Sequence, residues 1–210
     1  MSTATYRARR PARATVRRRR LAALVMVLGL GAIGVALAGI AGYGPLADEV
    51  RAITLPLEHE DIIRQQAADK DVDAALIAAV IFEESKFRDQ TSHAGARGLM
   101  QITPQTADYI AAKSGGVAFE QGDLASPQIN IAYGAWYLRY LTDKYEGEEL
   151  AAIAAYNAGE GTVDQWVTDA GGLTGFDEGD IAFPETRAYV KGVMDHRAAY
   201  RRHYDDELGY

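Results

Sequence analysis

From Glu58 onward, apolar positions recur at helical spacing. In "EHEDIIRQQAADK", residues 58–70, Ile62, Ile63 and Ala67 share one face. "DVDAALIAAVIFEESKF", residues 71–87, predicts a second helix with Asp71 or Asp73 as its N-cap. "TPQTADYIAAKSGG" offers Thr103 as a cap, Pro104 at the first helical position and Gly115 as a stop. The formula repeats from Ser126 and Pro127, with Ile129, Ala132, Tyr133, Trp136, Tyr137 and Tyr140 on one face of a helix that ends before Gly147. "EELAAIAAYNAG" predicts a short apolar helix stopped at Asn157–Gly159, and "FPETRAYVKGVMDHRAAYRRHY" a long one that closes the fold. No stretch alternates with period two for long enough to demand a sheet, and no internal repeat is present. The expected fold class is all-α, one domain of about six or seven helices with loop-rich joints.

The first part of the chain follows a different pattern. Residues 21–43 carry no charge, and "RRRR" stands directly before them. About 20 helical residues cross a hydrocarbon core, so this run is expected to be a transmembrane anchor. Residues 1–20 then form a basic cytoplasmic arm, and residues 44–210 face outward by the positive-inside rule. The alternative is a cleaved signal peptide, because Ala36-Leu37-Ala38 resembles a small-x-small cleavage site. Residues 44–57, with Gly and two Pro, read as a linker. Charge sharpens the division. Eight of the 22 Lys and Arg lie in residues 1–20 without an acid, leaving 14 against all 29 acids, a balance of −15. A folded part so acidic repels phosphates, so nucleic acid is excluded as its partner. Cysteine is absent, which rules out disulfides and a thiol nucleophile.

Two carboxylates interrupt the apolar helix at Glu83 and Glu84. At roughly 100° per residue, Leu76, Ile77, Val80, Ile81 and Phe87 centre on one direction, with Glu84 about 20° from it and Glu83 about 80° away. Glu84 therefore points toward the core or a cleft, where a carboxylate must pair, protonate or do chemistry. A lone glutamate at a helix end would pair with a cation such as Arg88 or Arg97. The surroundings favour chemistry. "SHAGARGLMQIT", residues 92–103, combines small residues with Ser92, Gln101 and Thr103, and "AAYNAG" adds Tyr156 and Asn157. Neutral hydrogen-bonding groups on Gly-rich backbone suit a polyhydroxylated, N-acetylated sugar rather than a phosphate. An apolar wall that raises the pKa of Glu84 would make it a proton donor near neutral pH.

"EESKF", "SHAGARGLMQITP", "NIAYGAWYL", "AYNAG" and "PETRAYV" stand in the order found in lytic transglycosylases of the soluble-lytic-transglycosylase type, and residues 58–204 resemble that family. The resemblance implies a lysozyme-like catalytic domain acting on peptidoglycan glycan strands, followed by a tail at 205–210. It implies that Glu84, directly before a serine, is the acid/base. Ser92 resembles a residue that hydrogen-bonds near the acid, and Met100 and Gln101 resemble groove residues that contact N-acetyl groups. Tyr156 and Asn157 resemble residues that orient acid and substrate, and Glu185 and Tyr189 a supporting polar pair. The implied reaction cleaves the bond between N-acetylmuramic acid and N-acetylglucosamine and leaves a 1,6-anhydromuramyl end, with no metal or organic cofactor. A hydrolytic muramidase on the same fold and a non-catalytic peptidoglycan-binding protein are the alternatives.

The other candidates are expected to be structural. Glu83 reads as a solvated rim charge, and His196 and His203 as parts of a solvated face beside Arg197, Arg201 and Arg202. His93 belongs to no metal-ligand spacing. The stripe Tyr133, Trp136, Tyr137 and Tyr140 reads as core, and the acids of residues 169–180 lack the spacing of a calcium loop. Gln101 has a second reading, as a brace for its own loop.

Overall fold

The computed structural model describes residues 26, 29, 31–33, 47–115 and 118–210. The expected anchor at 21–43 falls almost wholly outside them. Among the described residues no helix is long and apolar enough to cross a membrane. The chain divides into two units, Met1–Thr54 and Leu55–Tyr210. Within the first, part of the expected linker is helical, α1 at Ala47–Thr54.

The second unit is built from helices α2 (Glu60–Lys70), α3 (Ala74–Ser85), α4 (Pro104–Ser114), α5 (Pro127–Lys144), α6 (Glu149–Ala158), α7 (Glu160–Asp169), α8 (Pro184–His203) and α9 (Asp205–Leu208). Among the described residues there are no strands, only isolated bridges pairing Thr91 with Arg97 and Arg97 with Ile102. The caps follow the sequence closely. Thr103 accepts from the Thr106 N–H, Pro104 opens α4 and Gly115 closes it in the left-handed region at φ 80°. At α3 the candidates separate: Asp73 is the N-cap, accepting from the Ala75 N–H at 3.0 Å, while Asp71 ends α2 at φ 53°.

Helix α3 is the centre of the core. Every residue from Ala74 to Phe82 is buried, and Ile77, Val80 and Ile81 are fully enclosed. Burying each such branched side chain contributes roughly 1.5–3 kcal/mol relative to exposure. Its alanines let other helices come close, and α3 makes its most extensive contact with α8. Helix α6, equally alanine-rich, packs on α5, α7 and α8.

Two segments at the edges join this core. The Tyr200 hydroxyl donates to the Pro56 carbonyl at 2.6 Å and the Tyr204 hydroxyl to that of Leu55 at 2.8 Å, so residues 55–56 of the expected linker are fastened to α8. At the other end Leu208 is buried, and the Tyr210 hydroxyl accepts from the Ala75 N–H at 2.8 Å, so the expected tail packs on the start of α3. Helix α7 is absent from the sequence reading because Gly159 and Gly161 mark its start as a turn. What makes it a helix is burial of Val163 and Trp166, three residues apart.

Candidate active site

Glu84 lies in the last turn of α3, half-buried, two residues before the chain reverses through Lys86 and Phe87 at φ 54° and 60°. Phe87 is buried, and its packing holds this strained pair of left-handed residues in place. The Tyr189 hydroxyl of α8 donates to Glu84 Oε1 at 2.8 Å. Burial pushes the Glu84 carboxyl up to about 7, against the stabilising Tyr189 hydrogen bond and with a smaller push from the charge of Glu83. The cations a surface glutamate would recruit are engaged elsewhere. Arg88 donates to the Ser85 carbonyl at 3.4 Å, and Arg97 to that of Gln121 at 3.5 Å. Glu84 is thus a carboxyl poised to be protonated near neutrality, as its helical position predicts.

Tyr156 and Tyr189 complete the wall. Burial first, and then the nearby Glu84 charge, push both phenols well above their ordinary range, so both act as hydrogen-bond donors at neutral pH. Tyr156 donates to the Met100 carbonyl at 3.0 Å, tying α6 to the loop that follows α3. Beside it opens a cleft of about 220 Å³ lined by Gln101, Thr103, Thr106, Tyr137, Tyr156 and Asn157, among others. Glu84 itself is not among the lining residues of this cleft, and Tyr156 is what connects the two.

The remaining expected site residues fall into two groups. Gln101 and Asn157 line the cleft. Gln101 sits at φ 47°, and its Nε2 donates to the carbonyls of Gly98 at 2.8 Å and Gln90 at 3.0 Å, so its amide braces the loop. Asn157 is exposed and accepts from the buried Thr186 hydroxyl at 2.7 Å. Glu185 is exposed in the first turn of α8. Ser92 commits its hydroxyl to the Ala96 N–H at 3.1 Å, closing the turn of its own loop. Met100 is corrected most clearly. Its side chain is fully buried against Gly134, so it does not reach a substrate.

Sequence reasoning missed the residue that holds this loop. Asn130, buried in α5, accepts from the Met100 N–H at 2.8 Å and donates to the carbonyls of Arg97 at 2.9 Å and Leu124 at 3.0 Å. Gly98 makes room for it: the residue has φ 77°, and a Cβ there would run into the Asn130 amide and stand 2.8 Å from the Leu124 carbonyl. The signal was present, since an Asn inside an apolar helical stripe needs buried partners. Glu83 and His196 are also corrected. Neither is a solvated charge; they meet at 2.6 Å with side chains only 19% and 30% exposed.

The model of the transglycosylase SLT domain family matches residues 61–176. The chain is 33% identical over 157 residues to the soluble lytic murein transglycosylase of Escherichia coli K12, covering 72% of this chain and 24% of that protein. It is 37% identical over 112 residues to the membrane-bound lytic murein transglycosylase C of Glaesserella parasuis, covering 49% of this chain and 31% of the relative. The crystal structure of the 70 kDa soluble lytic transglycosylase of Escherichia coli superposes with a TM-score of 0.68 at 31% identity, over 75% of this chain and 26% of that one. The chain thus spans about a quarter to a third of the length of these relatives. A family match over more than half of the chain, on a helical domain with the same fold, places this protein in the transglycosylase SLT domain family.

Proposed function

We propose that this protein is a peptidoglycan lytic transglycosylase with Glu84 as its single acid/base. The observation that carries this reading is the state of Glu84: half-buried, held by one phenol, and pushed up to about 7. Such a group donates a proton near neutral pH and, once ionised, is still basic enough to take one back. Glu84 protonates the glycosidic oxygen between N-acetylmuramic acid and N-acetylglucosamine, and the C1–O bond breaks with its electron pair leaving on that oxygen. The oxocarbenium-like C1 is stabilised by the substrate's N-acetyl group. The muramyl 6-hydroxyl then attacks C1 and gives its proton to the Glu84 carboxylate. The product is a 1,6-anhydro ring, no water is consumed and the acid is regenerated. The nearest other carboxylate in sequence, Glu83, is tied to His196 and Lys86, which supports one residue serving both steps.

In this reading Tyr189 orients the acid, and Tyr156 fixes the loop behind it. The free amide of Asn157 and the Oε1 of Gln101 meet sugar N-acetyl and hydroxyl groups in the cleft, with Ser92 near the acid and Glu185 paired with Tyr189 as supporting polar groups. Residues 21–43 anchor the chain in the cytoplasmic membrane with Leu55–Tyr210 outside, where the glycan strands are. The uncharged run behind four arginines supports the anchor. Mass spectrometry of fragments released from purified sacculi tests the chemistry. Anhydro ends lighter by one water are expected; reducing ends would identify a muramidase, and no fragments a binding protein.

A further inference from the structure

Glu83 and Glu84 are consecutive, yet both dock on the same face of α8, one turn apart. Glu84 takes the Tyr189 hydroxyl, while Glu83 lies over Gly192 and meets His196. Gly192 is the seat. A Cβ there would stand 2.6 Å from Glu83 Oε1, so the absence of a side chain leaves room for this carboxylate. His196 closes the pocket. Its Nδ1 lies 2.6 Å from Glu83 Oε1 and 2.8 Å from the Gly192 carbonyl, which requires a proton on that nitrogen, and its ring packs 4.3 Å from Phe82. Lys86 reaches Glu83 Oε2 at 3.6 Å from the exposed side while lying over the Phe82 ring.

We propose that Glu83, seated on Gly192 and counterbalanced by His196 and Lys86, is a positioning residue whose negative charge keeps Glu84 protonated for the first step of the reaction. This rests on Glu84 being the acid of that reaction. A like charge next to a carboxyl disfavours its ionisation, and the interaction is strong where the pair is shielded from water. The charge of Glu83 is felt in this direction by Glu84 and by the phenols of Tyr189 and Tyr200. The ionisable groups around the pair are Lys86 on α3, Tyr156 on α6, and Tyr189, Tyr200, His196 and Asp195 on α8, the last of which senses His196 but is bound to Lys191 at 2.5 Å. His196 and Lys86 therefore set how much of the Glu83 charge reaches the acid.

The test follows the Glu84 carboxyl carbon by NMR through a pH titration of the whole protein, beside a pH profile of sacculus cleavage. Glu83→Gln is expected to move both the Glu84 midpoint and the alkaline limb of activity down by about half a pH unit, with activity near pH 5 retained. Lys86→Gln, at an exposed position, removes a counter-charge and is expected to move both upward, with an unchanged circular dichroism spectrum confirming that the variant is folded. Opposite signs in the two variants support the proposal. Coincident midpoints, or both variants moving the same way, overturn it and leave Glu83 a packing residue. An NMR midpoint that moves as expected while the activity limb stays fixed would count against Glu84 as the acid, not against the coupling.

Discussion

The two ends of α3 hold carboxylates in opposite environments. Asp73, at the N-terminus, is partly buried, its side chain 10% exposed, but it is surrounded by donors: Arg197, Arg201, the Tyr210 hydroxyl and the Ala75 N–H. Burial opposes its ionisation, yet the Tyr210 hydrogen bond and the two guanidiniums outweigh that and hold its carboxyl below the ordinary range. Glu84, at the C-terminus, receives one phenol and no cation, and burial wins. One helix thus carries one acid held in the charged form and another whose carboxyl is pushed up to about 7. The partners decide this, not burial alone.

The linkage signs differ accordingly. Asp73 stabilises the fold above the ordinary carboxylate range, and its contribution is lost as pH falls through its lowered folded pKa. Glu84 binds a proton in the folded state that an unfolded chain releases, because its pKa rises from the ordinary 4.5 to about 7. Stability therefore falls as pH rises across that window.

The strongest way to break the contrast is at the site itself. Glu84→Gln is expected to lower sacculus cleavage by about 10²–10⁴-fold, measured as released fragments, while Glu83→Gln keeps most activity near pH 5. The same Glu84→Gln variant should melt higher than wild type at pH 8 and nearly equal to it at pH 4, since the neutral amide avoids a charging cost on the order of 1–3 kcal/mol. Equal melting temperatures at both pH values would mean that the folded protein does not resist ionisation of Glu84.

At the opposite end, Asp73→Ala leaves Arg197 partly buried without its main partner and removes the helix cap. Chemical denaturation should show a loss of about 3 kcal/mol, with the specific activity of the folded fraction near wild type. A larger effect on activity than on stability would show that this end of α3 tunes the acid as well.

A smaller effect sharpens the role of the phenol. Tyr189→Phe removes the hydrogen bond that favours ionised Glu84, so the alkaline limb of the pH–rate profile should move up while the maximal rate falls about tenfold. The smallest change concerns the cleft. Gln101→Ala removes two loop hydrogen bonds, each contributing roughly 0.5–1.5 kcal/mol, so a lower melting temperature is expected together with several-fold weaker binding of chitin-type oligosaccharides. Unchanged oligosaccharide affinity in calorimetry would confine Gln101 to its bracing role.

Most of the helices of the second unit and the inward turn of Glu84 were legible in the chain alone, while α1, α7 and α9 were not. Periodicity, the Thr103–Pro104–Gly115 punctuation and the angular position of Glu84 are local properties of the chain, set by 3.6 residues per turn and by capping chemistry. Ordered motifs pointed to candidate groove residues by resemblance, of which Gln101, Tyr156 and Asn157 line the cleft, but they could not say how each side chain is used. Ser92 closes its own loop and Gln101 bonds backward, while the Met100 N–H is received by Asn130, 30 residues further along the chain. The pairing of Glu83 with His196 depends on contact between α3 and α8, far apart in the chain, and on the space Gly192 leaves between them. Helical phase is written in neighbouring residues. The partners of a buried carboxylate are supplied by whatever the fold packs against it, so the packing of α3 on α8 settled which of two adjacent glutamates meets His196 and Lys86 and which meets only a phenol.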